Sequence, residues 1–309
     1  MKRLFRLILI LALVGAGVFW WLTMPRPLDA LPATMQGYTP DAQKGELVFY
    51  AGGCSSCHAA PGSDDKKSLA GGVRLESPFG AFIAPNISPD PEDGIGGWSD
   101  LDFVNAMTKG ISPGGSHFYP AFPYTSYQRM KLQDVLDLKA FLDTLPKVAG
   151  KAPDHEVGFP FNIRRGLGLW KLLYLDGKPF QPDPDATDQI NRGAYLVKGP
   201  GHCGECHTPR DVFGGLQTDK WLSGAPNPEG KGIVSNITPH EQGLASWSEE
   251  DIAYALETGF TPEFDSLGGS MGAVVGNMSH LPAEDRAAIA AYLKFVPPLP
   301  NGYKTQSGK

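Results

Sequence analysis

All four cysteines of this chain fall in two copies of one pentapeptide, Cys54-Ser55-Ser56-Cys57-His58 and Cys203-Gly204-Glu205-Cys206-His207. The C-x-x-C-H spacing suits covalent attachment of haem. Two thiols add across the two vinyl groups of one porphyrin, and the adjacent histidine lies under the iron as its proximal ligand. Two rival chemistries fit less well. A Cys₂His₂ zinc site needs a second ligand pair at a defined distance, and no other histidine is so placed. A thioredoxin-like redox pair belongs in a βαβ pattern, and the chain has no run of β-branched strands. The expectation is two covalently bound haem c groups. Cys54, Cys57, Cys203 and Cys206 attach them, His58 and His207 ligate the irons, and no cysteine is left for a disulfide.

The elements that position these motifs come in duplicate. The motifs lie 149 residues apart, and the offset persists downstream. Asn86-Ile87-Ser88-Pro89 recurs as Asn236-Ile237-Thr238-Pro239, and Trp98-Ser99 as Trp247-Ser248. Asp102, Ala106, Gly110 and Pro113 match Asp251, Ala255, Gly259 and Pro262; Leu138 to Leu142 match Ile289 to Leu293. A self-similar half-chain of this kind reads as two homologous modules. Each carries a helix before the haem motif (41–52 and 188–200), a Gly/Pro-rich stretch, a second helix (99–109 and 248–258) and a last helix (132–144 and 283–295). Ser99 and Ser248 suit the N-caps of the second helices, and Pro282 suits the first turn of a last helix. The expected fold is all-α. An anchor at 1–24 and a linker at 25–40 precede domain 1 at 41–146. An interdomain segment at 147–187 leads to domain 2 at 188–300, and a tail follows at 301–309. With Phe159-Pro160-Phe161 and Trp170 in it, the interdomain segment is expected to pack rather than to swing.

Lys2, Arg3 and Arg6 precede an uncharged apolar run from Leu7 to about Met24. A basic flank followed by such a run reads as a secretory signal or a signal anchor. The run ends in Phe19, Trp20 and Trp21, aromatics suited to a membrane interface rather than to a cleavage site. The expectation is an uncleaved inner-membrane helix with the haem domains in the periplasm. Residues 1–24 hold three basic and no acidic residues, so the remainder carries −9 where the whole chain carries −6. With no basic patch, nucleic acid is excluded as a partner. Glycine and proline make up about a fifth of the 309 residues, short of a low-complexity composition. A porphyrin in each module supplies apolar core that the chain lacks.

The plan resembles class I cytochrome c domains, a few helices around one covalently held haem. More closely it resembles the cytochrome c subunits of membrane-bound bacterial dehydrogenases for alcohols, aldehydes and sugar acids. The residues that carry this are Ala84-Pro85-Asn86-Ile87-Ser88-Pro89-Asp90, 94–99 (Gly-Ile-Gly-Gly-Trp-Ser), Tyr119-Pro120-Ala121-Phe122-Pro123-Tyr124 and Cys206-His207-Thr208-Pro209-Arg210. The resemblance covers nearly all of the chain after the apolar run. Many such subunits carry three haem motifs, whereas this chain has two. It implies two tandem class I cytochrome c-like domains and, as partners, a periplasmic or membrane dehydrogenase and a downstream electron acceptor.

In class I cytochromes a methionine ahead of the last helix supplies the sixth iron ligand, and Met raises the potential. Met271 suits that place in module 2; Met278 is the alternative or a core filler. In module 1 the related subunits commonly read Pro-Ala-Met-Pro-Tyr where this chain has Phe122, which cannot bind iron. Met130, His117 or an open iron remain for haem 1. Met107 aligns with Leu256 and reads as core. Asn86 and Asn236, with Trp98 and Trp247, bind propionates or pin a loop carbonyl, or else form turns and pack the core. Arg74 and Arg210 pair with propionates or lie on the surface. His202 reads as a loop residue. The expected function is a membrane-anchored electron carrier delivering to a quinone, an oxidase or another cytochrome. The alternative is a peroxidase-like enzyme with an open iron at haem 1 and His117 as its acid–base group.

Overall fold

The computed structural model describes residues 1–228, 230 and 232–303. Helix α1 (Lys2–Leu22) has 21 residues, a mean hydropathy of 2.1 over an 18-residue stretch and no buried residue. At about 1.5 Å per residue it is about 32 Å long, close to the hydrocarbon thickness of a bilayer.

The first repeat supplies α2 (Ala42–Ala51), α3 (Cys54–His58), α4 (Asp100–Lys109), α5 (Tyr124–Tyr127) and α6 (Leu132–Leu142). A bridging segment carries α7 (Leu167–Tyr174). The second repeat supplies α8 (Asp188–Lys198), α9 (Gly204–His207), α10 (Glu249–Thr258), α11 (Met271–Met278) and α12 (Ala283–Phe295). The three helices expected in each copy are all present, with ends shifted by at most two residues. Ser99 caps α4 and Ser248 caps α10 as expected, each in a reciprocal capping box with Asp102 or Asp251. Gly110 (φ 59°) and Gly259 (φ 80°) end the same two helices in the left-handed region, where glycine carries no Cβ penalty. Pro282 stands one residue earlier than a first-turn position, as the N-cap of α12.

Two apolar cores result. One centres on Phe49, Val104, Val135 and Leu138, the other on Val197, Ile252, Ile289 and Ala290. Each is organised by a helix crossing at a glycine. A Cβ on Gly45 in α2 would lie 1.9 Å from the Asp137 carbonyl oxygen of α6; one on Gly193 in α8 would lie 1.8 Å from that of Ala288 in α12. Polar clasps flank both crossings. The buried Asp137 carboxylate accepts from the Tyr38 hydroxyl (2.8 Å) and the Asp41 amide (2.7 Å), and Asp285 takes both arms of Arg192 at 2.7 Å.

The all-α expectation holds for this scaffold but not for every segment. Strands β1 (Arg74–Leu75), β2 (Gly80–Ile83) and β3 (Glu156–Val157) form an antiparallel sheet in that order, and β4 (Ala225–Pro226) pairs antiparallel with β5 (Ile233–Val234). At two to four residues they are too short to show a period in the sequence. Gly80 pairs with Val157 in β3, so the bridging segment is stitched to the first repeat.

Candidate haem sites

Each C-x-x-C-H motif is a single helical turn, α3 or α9, set after a helix that ends at a glycine. A helical turn brings positions i and i+3 to one face, so both thiols of a motif face the same way. As free thiols, Cys54 and Cys203 are pushed up to about 12 by burial, reinforced by the neighbouring thiol. Burial lowers both His58 and His207, opposed by a hydrogen bond to a backbone carbonyl.

That bond is the strongest sign of what the turns hold. His58 Nδ1 donates to the Pro85 carbonyl at 2.8 Å, and His207 Nδ1 donates to the Ser235 carbonyl at 2.7 Å. With its proton committed to Nδ1, each imidazole is neutral with a free Nε2 lone pair, the form a metal takes. The two acceptors sit directly before Asn86 and Asn236, at matched positions of the repeat. The donor set therefore fits a covalently held, histidine-ligated haem in both copies.

The repeated asparagines pin loops. Asn86 Nδ2 donates to the carbonyls of Val148 (2.7 Å) and Gly150 (2.9 Å), and its Oδ1 accepts from the Ser88 amide. Asn236 does the same with Leu299 and Thr238. Trp98 and Trp247 pack against the two cores. Arg74 pairs with Glu76 and Glu156, and Arg210 with Glu205, all at 2.6 Å.

The candidates for sixth ligand separate. Met271 opens α11 and is half-buried, while Met278 is 4 % exposed in the second core beside Ala51 and Leu281. Met130, 2 % exposed, lines a small cavity with Cys54, Val48, Met107, Tyr127 and Leu138. Phe122 packs edge-on against Tyr127, with ring centroids 5.5 Å apart. His117 has both nitrogens occupied: Nε2 lies 2.9 Å from the Thr23 carbonyl and Nδ1 3.1 Å from the Lys171 ammonium. It is tied to the end of α1 and to α7, not offered to an iron.

The two motifs meet across a contact that sequence reading missed. Glu205, inside the second motif, accepts from Thr125 (2.7 Å) and Ser126 (2.9 Å) at α5 of the first repeat. Conversely Asn277, in α11 of the second repeat, donates to Ser56 (3.0 Å) inside the first motif. His202 Nε2 lies 3.2 Å from the Gly52 carbonyl, and Tyr50 stacks on His280 at 3.9 Å. His202, read as a loop residue, is a joint between the motifs. The clue lay in register: Ser56 and Glu205 match at 149, Ser126 and Asn277 at 151.

Comparison with known proteins agrees with this geometry. The cytochrome c family profile matches residues 42–146. A protein of Cereibacter sphaeroides described as diheme cytochrome c-type is 50 % identical over 301 residues, 97 % of this chain and 100 % of that protein. The fructose dehydrogenase cytochrome subunit of Gluconobacter japonicus is 36 % identical over 291 residues, 93 % of this chain and 58 % of its own length. The cytochrome c subunit of the alcohol dehydrogenase (quinone) of Gluconacetobacter polyoxogenes is 37 % identical over 286 residues, 87 % of this chain and 60 % of its own length. This chain thus spans all of the first relative but less than two thirds of the other two. Two matched imidazole seats, two thiol pairs and a full-length two-haem relative lead to one conclusion: the chain belongs to the cytochrome c family and is an electron-transfer protein with two covalently bound haem c groups.

Proposed function

We propose that the chain is the electron-accepting cytochrome subunit of a dehydrogenase, held in the inner membrane by residues 1–24 with its haem domains in the periplasm. Domains 41–146 and 188–300 are the two haem units, joined by 147–187. The linker 25–40 leads in and the tail 301–309 leads out; residues 304–309 lie outside the described residues. Cys54 and Cys57 attach one haem, and Cys203 and Cys206 the other. His58 and His207 would be the proximal ligands, and Met271 in the second unit and Met130 in the first would supply the other protein ligand. The paired Nδ1–carbonyl seats carry this reading, because they orient both imidazoles alike. When bound, each haem takes up and gives up one electron at a time. The chain holds the imidazoles, excludes water with its two cores and fixes the motifs against one another. A dehydrogenase donor is supported by relatives named for fructose and alcohol dehydrogenases. The acceptor is a quinone, an oxidase or another cytochrome.

Isolation from membranes without a tag on any partner tests the subunit role. A dehydrogenase chain is expected to co-purify at fixed stoichiometry; a cytochrome that always comes alone overturns it. Optical spectra test the ligands. Met271→Leu is expected to remove the Met–iron charge-transfer band of one haem and to open that iron to carbon monoxide, and Met130→Leu to do the same for the other. A Met130→Leu protein with an unchanged spectrum overturns that assignment. Phe122 motivates the peroxidase-like alternative, but His117, its acid–base group, is bound to Thr23 and Lys171. With Met271 and Met130 as ligands, carbon monoxide is expected to bind neither haem of the unaltered protein.

A further inference from the structure

We propose that an outward-facing apolar ridge built on α7 lies in the periplasmic leaflet of the bilayer that α1 crosses, as a second membrane contact beside the span. The proposal rests on the reading of α1 as a retained anchor.

Helix α7 is turned inside out. Its inward positions are Gly168 and Lys171. A Cβ on Gly168 would lie 2.5 Å from Thr23 Cα. Lys171 is 8 % exposed, and its ammonium donates to the Lys109 and Gly110 carbonyls at 2.7 Å each. Burial pushes that ammonium down to about 7, so holding it inside is costly. Its outward positions are Leu169, Leu172 and Leu173, at 40 %, 57 % and 71 % exposure. A helix facing water presents the opposite pattern.

The leucines are not isolated. The Trp170 indole N–H donates to the Phe213 carbonyl at 3.0 Å, which sets exposed Val212 and Phe213 beside α7. A Cβ on the next residue, Gly214, would touch the Phe79 ring at 3.3 Å, and Phe79 packs edge-on against half-exposed Phe161. Joined apolar surface of this kind marks a binding face, whereas single exposed residues do not.

Its position identifies lipid as the occupant. Thr23, the residue after α1, is fully buried. Its carbonyl lies 2.9 Å from His117 Nε2, and its hydroxyl accepts from Arg165 Nε at 3.0 Å. Arg165 also donates to the Trp20 carbonyl (2.8 Å) and lies 3.9 Å from that ring's centroid. The span is therefore clamped to the body at the point where α7 begins. Eight residues of helix extend only about 12 Å, and a surface helix sinks about 5–10 Å into the headgroup boundary. Trp20 under Arg165 and Trp21 under Arg26 form the aromatic and cationic belt found at that depth.

The full-length holoprotein in nanodiscs of phosphatidylethanolamine and phosphatidylglycerol, doped with a photoactivatable lipid, tests this. Label is expected on peptides covering 167–174 and 209–216 as well as on α1. The double variant Leu172→Glu/Leu173→Glu alters exposed side chains only, so two haems per chain are retained. It is expected to lower label on 167–174 on the order of tenfold while label on α1 stands. Label on α1 with none on 167–174 overturns the ridge and leaves the anchor. Label on 167–174 that vanishes in native membranes shows a protein there and overturns it too. A mature chain that starts beyond α1 overturns the anchor reading itself, which N-terminal sequencing distinguishes.

Discussion

Gly193→Ala is expected to cost the second repeat its haem. The added methyl would sit 1.8 Å from the Ala288 carbonyl oxygen and 2.9 Å from Tyr292 Cβ, and both neighbours belong to α12. Neither a backbone carbonyl nor a Cβ can rotate away, so the helices must separate. Overpacking at a backbone crossing is expected to cost about 3–5 kcal/mol, the upper end for a single methyl. That is much of the roughly 5–15 kcal/mol that holds a domain together. Haem per chain and denaturant unfolding followed by Soret circular dichroism measure the loss; Gly45→Ala should act alike on the first repeat. Gly276→Ala is the control. It lies within α11 with nothing within 4 Å of an added Cβ, so about 0.5–1 kcal/mol of stabilisation is expected.

Glu205→Ala is expected to loosen the contact between the repeats. The Glu205 side chain is 8 % exposed, and its carboxylate meets Arg210 at 2.6 Å, Thr125 at 2.7 Å and Ser126 at 2.9 Å. Truncation strands a guanidinium and two hydroxyls. Breaking a fully buried pair costs about 3–5 kcal/mol; with Arg210 31 % exposed and reachable by water, about 2–4 kcal/mol is expected. Unfolding monitored separately at each half should change from one transition to two. A double-mutant cycle with Thr125→Val is expected to give a coupling of about 1 kcal/mol. Additive effects would show that the hydroxyl and the carboxylate do not depend on one another.

Much of the site was legible because its chemistry is written in adjacent residues. C-x-x-C-H declares itself, and the repeat exposes Ser99 and Ser248 as caps because a cap and its helix are neighbours in the chain. The features that escaped depend on distances across the chain. Gly45 and Gly193 look like weak helix formers until the facing carbonyls of Asp137 and Ala288 are in view. Helix α7 reads as ordinary packing material until Lys171 is seen inside and its leucines outside. His117 looked free to serve an iron because Thr23, 94 residues away, is no neighbour in sequence. Propensity cannot register partners at such separations, whereas an internal repeat can: aligning the two copies makes Ser56 the counterpart of Glu205 and Ser126 that of Asn277.

Those four residues also speak to ancestry. Position x of one copy touches position y of the other, and y of the first touches x of the second, which is the signature of an isologous dimer. A single-haem unit with both patches on one face has the means to pair with a copy of itself. Within one tandem chain such a pairing is an internal joint, and its two contacts need not be alike. One is an uncharged Asn277–Ser56 bond; the other holds the Glu205 carboxylate with Thr125, Ser126 and Arg210 around it. The halves are no longer interchangeable, and a chain built from two copies of either one would meet itself with the wrong partners.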